Sequence, residues 1–255
     1  MGNLVRMDIY RMLRAKSFRI CLILSFALAL LATPFEWGMA QLARSLSSEA
    51  PRFAESVQLS YLISNPPSGL IYMLAFLSIV IFFFADIEAG YIKNIAGQMP
   101  KKGFSVLSRF MAAILHNLLF LAAGLIGNIL GALFLQKITT DGGLLQSILT
   151  FAVRFLLMQA VCTIMLLAVT SFRNKSLGMI LAVMLGLPVM GLIYLGINTG
   201  LGQLFGDSVN ITPYMPDQVL KESNPDALRA ILVSAVTIGI FLPLSIHVFD
   251  RKDVK

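Results

Sequence analysis

The chain has 255 residues, of which 57% are hydrophobic and 13% charged, with a formal net charge of +7 at neutral pH. An ordinary soluble domain is about a quarter charged, so this composition excludes a typical soluble enzyme and indicates a membrane protein with several spans. The positive charge does not indicate a nucleic-acid partner, because Lys and Arg in short loops between apolar segments are typical of cytoplasmic loops in membrane proteins. We expect membrane lipid, and no nucleic acid, as a partner.

The first 17 residues predict a basic amphipathic helix. Ile9 and Met12 share one helical face, and Arg6 and Arg14 lie on the other side. Such a helix is suited to the headgroup region of an anionic leaflet. The alternative is a solvated basic tail that only sets the orientation of the chain.

Six apolar segments predict six membrane-spanning helices in a single all-α domain that covers residues 1–255. A span needs about 20 mostly apolar residues to cross about 30 Å of hydrocarbon. The predicted spans are residues 18–37, 68–85, 104–135, 145–171, 177–201 and 228–249. The polar segments 43–67 and 202–227 are expected to hold short helices at the surface, and 136–143 a short loop.

The distribution of basic residues predicts the orientation of these spans. Fourteen Lys and Arg residues fall on the side that holds both termini, and five on the other side. Because cytoplasmic loops are rich in Lys and Arg, both termini and the polar break at 86–103 are predicted to lie in the cytoplasm of a multi-pass plasma-membrane protein.

No motif for nucleotide binding or catalysis is present. The chain lacks a G-x-x-x-x-G-K-[ST] loop, so any ATP must be used by a partner chain. The histidines His116 and His247 lie on different predicted spans without an acidic neighbour at helical spacing, and each is expected to be packed or hydrogen-bonded. Cys21 and Cys162 are expected to act as small buried apolar residues. We predict no catalytic residue, no metal site and no cofactor bound by this chain.

Arg154 is the one basic residue well inside a predicted span. Such residues usually face a bundle interior or cavity and have a partner, and Glu36 is a candidate partner near the end of the first span. The hypothesis is that Arg154 and Glu36 lie on a translocation path or at its outer gate. The alternative is that Arg154 reaches the outer interface with its long side chain.

Two Gly-x-x-x-Gly pairs predict close approach between helices. They are Gly127 with Gly131 in the third predicted span and Gly196 with Gly200 in the fifth. Small residues at this spacing let two backbones approach in a membrane. Packing within the chain and a dimer contact are both open.

The polar break DIEAGYIKNIAGQMPKKG, residues 86–103, interrupts two long apolar runs. Ile92, Ile95 and Met99 form a stripe along one helical face, and Pro100 ends the helix. A short amphipathic helix between two spans can fill a groove on a soluble partner. Resting on lipid headgroups is the alternative.

The segment FADIEAGYIKNIAGQMPKKGFSVLSRF resembles the cytoplasmic loop between the second and third spans of ATP-binding-cassette (ABC) transporter permeases of the type-two exporter family. The opening MDIYRMLRAKSFRICLIL and the closing VFDRKDVK are similar to the ends of such permeases. The size and the opening resemble small Gram-positive permeases associated with antimicrobial peptides.

This resemblance implies a half-transporter that pairs with a second copy or a related permease. Two cytoplasmic ATPase subunits would bind ATP and Mg, and the loop would be the coupling helix that docks on them. The docking residues implied are Gly90, Tyr91, Ile92, Lys93, Asn94 and Ile95. The expected substrate is amphipathic or hydrophobic, such as an antimicrobial peptide or drug. A scaffold or channel subunit without an ATPase is the alternative, and the lack of clustered His, Asp or Glu in the spans disfavours an intramembrane enzyme.

Overall fold

The structure, a computed structural model, describes residues 2–47, 54–65, 68–88, 103–172, 174–205 and 210–251. Helices form nearly all of it, as the sequence predicted. They are α1 Gly2–Arg14, α2 Lys16–Leu46, α3 Leu59–Ser64, α4 Gly69–Glu88, α5 Phe104–Leu133, α6 Leu144–Phe172, α7 Lys175–Gly186, α8 Val189–Phe205, α9 Pro216–Val219 and α10 Ala227–Arg251. The strands β1 Ser56–Gln58 and β2 Lys137–Thr139 and a 3-10 turn Thr212–Tyr214 complete it.

Four of these helices, α2, α5, α6 and α10, are long and apolar enough to cross a membrane. The pair formed by α7 and α8 passes the same test when it is taken as one span. The apolar part of α4, Gly69–Ala85, is shorter. The described residues therefore give four or five spans by length and composition, where the sequence predicted six.

The predicted fifth span is broken at Leu187 and Pro188. The axes of α7 and α8 differ by 81°, so the segment 177–201 that the sequence predicted as a span consists of two helices. Proline has no N–H for the helical ladder and disfavours helical geometry at the preceding residue. Leu187 accordingly is extended, with φ −85° and ψ 164°.

The core lies along α6, which packs against α10, α3 and α5. Its side chains Leu157, Met158, Val161 and Met165 are fully buried. In contrast, α2 and α10 expose many large apolar side chains, as expected for helices whose outer faces contact hydrocarbon. Helix α4 contributes Tyr72, Phe76 and Phe83 to the same core, so α6 and α4 together form the buried centre of the described chain.

The two Gly-x-x-x-Gly pairs differ in how closely another helix approaches them. A Cβ at Gly127 would lie 2.7 Å from the Cβ of Ala29 and 2.8 Å from the carbonyl oxygen of Phe26. Gly131 lies against the Leu30 carbonyl in the same way, so this pair lets α5 approach α2 within the chain. Around Gly196 and Gly200, no atom of the described residues would lie within 4 Å of an added Cβ.

The short strands lie at one end of the bundle, which we call the strand end. β1 and β2 pair in parallel, with Val57 opposite Ile138. This pairing joins two loops that the sequence treated as separate. The short helix predicted within 43–67 is present as α3, but Ser60 and Leu62 are buried, and the Ser147 hydroxyl of α6 donates to the Ser60 carbonyl at 2.9 Å. Helix α3 therefore packs into the bundle and does not lie on its surface.

At the opposite end, α1 and α10 both pack against α5, and we call this end the terminal end. Helix α1 forms as predicted, and Met12 of its apolar face is fully buried. Asp8 is also buried, at 2% exposure. One face of α1 therefore contacts α5 of the bundle.

Candidate functional site

The six docking residues implied by the family resemblance, Gly90, Tyr91, Ile92, Lys93, Asn94 and Ile95, lie outside the described residues. The two ends of the predicted loop 86–103 are described, at Glu88 and Gly103. The contacts of these two residues show which helices are bonded to the ends of the loop.

Each end of the loop is bonded to a different helix. Lys175 at the start of α7 donates to both carboxylate oxygens of Glu88, at 3.0 and 3.1 Å. The backbone N–H of Gly103 donates to Oδ1 of Asp250 in α10 at 2.6 Å. A Cβ at Gly103 would lie 2.6 Å from Cγ2 of Ile246, so the close approach requires glycine.

Buried polar side chains lie directly beyond Gly103 at the terminal end. The Ser108 hydroxyl of α5 donates to Asp8 of α1, and Arg11 lies 3.8 Å from the same carboxylate. Arg109 is 0% exposed and places its guanidinium carbon 5.9 Å from the centre of the Phe249 ring. These contacts join α1, α5 and α10 beside the loop. The sequence analysis counted Arg109 only among the fourteen basic residues on the side of the termini, because nothing local signals that it is buried.

Arg154 lies ten residues into α6, about 15 Å along the helix from its start. Its side chain is 1% exposed. Nη1 donates to the carbonyl of Ser64, and Nη2 donates to the carbonyls of Glu222 and Ser223 at 3.1 and 3.0 Å. One guanidinium therefore holds the end of α3 and the segment after α9 against α6, deep in the strand end.

Glu36 does not pair with Arg154 in the structure. It is exposed on α2, and the described residues contain no ion pair between the two. The partners of Arg154 are carbonyl oxygens, which sequence reasoning missed because a carbonyl partner leaves no signal in residue type. The prediction that Arg154 faces the bundle interior is consistent with its burial.

A second polar group surrounds the break between α7 and α8. Asp217 of α9 is 0% exposed and accepts from the Tyr194 hydroxyl at 3.0 Å and from Nε2 of Gln218 at 2.6 Å. Lys221 lies 3.9 Å from the Asp217 carboxylate and donates to the Leu187 carbonyl at 2.8 Å. Lys221 thus satisfies a carbonyl at the end of α7, where a cation is also favoured by the helix dipole.

Burial shifts the pKa values of Asp217 and Lys221 in this polar cluster. Burial raises the pKa of Asp217 above its ordinary value of 3.8, while the bonds from Gln218 and Tyr194 and the charge of Lys221 oppose the shift. Burial lowers the pKa of Lys221, and Asp217 opposes that shift. A raised folded pKa means that Asp217 contributes most to stability below its unfolded pKa, and that the contribution is lost as pH rises through the folded pKa.

The change Asp217→Asn should therefore have a pH-dependent effect on thermal stability. In the natural protein, protonation of Asp217 removes a buried charge as pH decreases, whereas the asparagine does not titrate. We therefore expect the melting temperature of the variant minus that of the natural protein to fall as pH decreases from 7 to 4. The measurement is thermal unfolding in a neutral detergent across this range. The exposed Glu36→Gln change is the control, and a difference that is constant with pH or rises toward pH 4 would refute the assignment.

The two histidines have different surroundings in the described ranges. His116 is buried, with Nδ1 3.1 Å from Oδ1 of Asn117 and Nε2 3.2 Å from the Ser78 hydroxyl, so it is hydrogen-bonded as predicted. His247 is exposed. Among the described residues, no three His, Cys, Asp or Glu side chains are grouped as a metal ion requires.

Comparison of the chain with protein-family models, with curated proteins and with solved structures finds no match. The resemblance to exporter permeases therefore rests on the residues of the chain itself.

Proposed function

We propose that the chain is the membrane-spanning permease subunit of an ABC exporter. It would cross the bacterial plasma membrane six times with both termini in the cytoplasm, and it would pair with a second copy or a related permease. ATP and Mg would be bound by separate cytoplasmic ATPase subunits. The substrate class is an amphipathic or hydrophobic molecule, and an antimicrobial peptide or drug is the candidate.

The observation that carries this proposal is the loop FADIEAGYIKNIAGQMPKKGFSVLSRF, with its acidic span end, its G-x-I-K-N core and its basic turn. The absence of a phosphate-binding loop in the sequence fits a subunit whose ATPase is another chain. The apolar helices described above support the membrane assignment.

The contacts of the loop ends suggest how the subunit would respond to an ATPase. A force on the Gly90–Gln98 region would reach α4 and α7 through the Glu88 and Lys175 pair. It would reach α5 and α10 through Gly103 and Asp250. The coupling would then act on α4 with α7 and on α5 with α10, because each pair is bonded at one end of the loop.

Arg154 is proposed to act at the strand end of the translocation path, as part of an outer gate. Its three bonds hold α3 and the segment after α9 in place, and releasing them would open this end. If the variant Arg154→Gln is produced at the natural level and transports at the natural rate, the gate proposal is wrong.

The experiment for the function is affinity purification of the tagged chain from membranes of the host that produces it. We expect a nucleotide-binding subunit to co-purify and the complex to hydrolyse ATP. A tagged, unrelated multi-span protein from the same membranes is the control. If the chain purifies in a folded form with no more ATPase than this control, it is not an ABC permease.

A further inference from the structure

One side of α1 remains exposed where the helix packs against the bundle. Asp8 and Met12 lie on the opposite side and are buried. The apolar side that an interfacial helix normally places in lipid is therefore occupied by the bundle. The exposed side, which we call the basic face, consists of Arg6, Tyr10, Leu13 and Arg14. These residues are three or four positions apart, the spacing that places side chains on one side of a helix.

The cations of the basic face are not balanced by acidic side chains. Neither Arg6 nor Arg14 forms an ion pair within the described ranges. Asp8 is the one acidic residue in the sequence of α1. Its carboxylate is buried, accepts from the Ser108 hydroxyl and lies 3.8 Å from Arg11. The exposed side of α1 therefore presents positive charge that an anion outside the bundle can balance.

Contacts along the basic face hold two of its side chains in place. The guanidinium carbon of Arg14 lies 4.5 Å from the centre of the Tyr10 ring. Arg19, which is exposed near the start of α2, donates from Nη2 to the Arg14 carbonyl at 3.0 Å. A third guanidinium is thus placed at the end of the basic face. A guanidinium has five N–H donors, so this one bond leaves Arg19 able to bind a further acceptor.

The position of α1 in the chain places the basic face beside the membrane surface. Only Ala15, in an extended conformation with φ −61° and ψ 128°, separates α1 from α2. Helix α2 is long and apolar enough to cross a membrane, and its first residues would lie near the headgroups. Tyrosine is enriched at this level of the bilayer, and Tyr10 is 53% exposed and Leu13 40% exposed.

We propose that the basic face binds the headgroup of an anionic phospholipid, with Arg6, Arg14 and Arg19 around the phosphate. Guanidinium groups bind phosphate through paired, charge-assisted hydrogen bonds. Tyr10 and Leu13 would contact the glycerol and the first carbons of the acyl chains. A net-neutral phospholipid would bind less well, because its own cation opposes the arginines. This inference concerns binding alone and does not depend on the proposed transport function.

The experiment measures lipid binding to the purified full-length chain in an uncharged detergent, by thermal shift and native mass spectrometry. The probes are phosphatidylglycerol and phosphatidylcholine with the same acyl chains, so that they differ only in the headgroup. We expect phosphatidylglycerol to raise the melting temperature and to remain bound, with little effect of phosphatidylcholine. Equal stabilisation by the two lipids would overturn the proposal, whatever the behaviour of any variant.

A double variant, Arg6→Gln with Arg14→Gln, assigns the binding to the basic face. Both side chains are exposed and form no ion pair in the described ranges, so the variant should fold. We expect its affinity for phosphatidylglycerol to fall about tenfold or more, since each basic residue near the surface adds to the attraction of an anionic lipid. Arg44→Gln with Lys137→Gln removes the same charge elsewhere and should bind as the natural protein does. Equal affinities of the two double variants would overturn the proposal.

Discussion

Replacing Gly131 by leucine should prevent α5 from packing against α2 and should abolish the folded protein. The reason is geometric, because a Cβ at Gly131 would overlap the backbone carbonyl of Leu30. Backbone cannot move aside as a flexible side chain can, and overpacking a tight contact costs about 1–3 kcal/mol or more. We expect little protein of the correct size in size-exclusion chromatography after detergent extraction.

Gly200→Leu is the matched control for this experiment. Gly200 also lies inside an apolar helix and also ends a Gly-x-x-x-Gly pair, but no described atom lies within 4 Å of its added Cβ. Leucine is a better helix former than glycine by several tenths of a kcal/mol, so the control should be extracted as well as the natural protein. If both variants fold equally well, the α2 and α5 contact is not as close as described.

Replacing Arg154 by glutamine should release the end of α3 and the segment after α9, and it should lower the stability of the protein. Three hydrogen bonds to carbonyls are lost, and hydrogen bonds from charged groups contribute about 1.5–3 kcal/mol each. The cost of burying the guanidinium, several kcal/mol, offsets part of this. We expect a net loss of about 2–4 kcal/mol, seen as a lower melting temperature, with faster hydrogen exchange in 59–65 and 216–223.

Arg154→Lys is the control that retains the charge. An ammonium group is a compact point charge and cannot hold three carbonyls with the fixed fork of a guanidinium. Its stability should fall between those of the natural protein and the glutamine variant. Unchanged hydrogen exchange in residues 59–65 and 216–223 of the glutamine variant would show that Arg154 does not hold these segments.

The predicted helices agree with the structure where local pattern decides the outcome. Apolar length identified α5 and α6 to within two residues of each bound, and the amphipathic pattern identified α1. Asn174, which caps α7 by accepting from the N–H groups of Ser176 and Leu177, explains why that helix begins in a polar turn. These features depend on residues that are close in sequence, so local pattern is enough to predict them.

Pro188 is visible in the sequence, but the predicted span 177–201 rested on the continuous apolar composition around it. Proline within a span can kink or break a helix, and composition alone does not distinguish the two. Here the segment after α9 accommodates the break, because Lys221 bonds to the freed carbonyl of Leu187. That contact joins residues 34 positions apart, so no local pattern predicts it.

The polar contacts of the candidate site were the hardest to predict. Arg154 was singled out for its position inside a predicted span, but its carbonyl partners come from segments 68 to 90 residues away in sequence. The parallel pairing of β1 with β2 joins equally distant loops. Hydrophobic periodicity gives the position of a helix and the face it buries, whereas these contacts depend on how the loops fold back into the strand end.

Docking of an ATPase on the loop 86–103 can be measured with charged substitutions in the loop. The double change Ile92→Asp and Ile95→Asp places two charges on the predicted docking stripe, and Phe134→Asp with Leu145→Asp places the same charges on exposed residues at the strand end. The measurement is the amount of nucleotide-binding subunit that co-purifies with each form from host membranes. We expect a loss of about tenfold or more for the first pair, since a charge in an apolar groove costs several kcal/mol, and natural levels for the second. Natural levels of the ATPase with the Ile92 and Ile95 variant would show that this loop does not dock the ATPase.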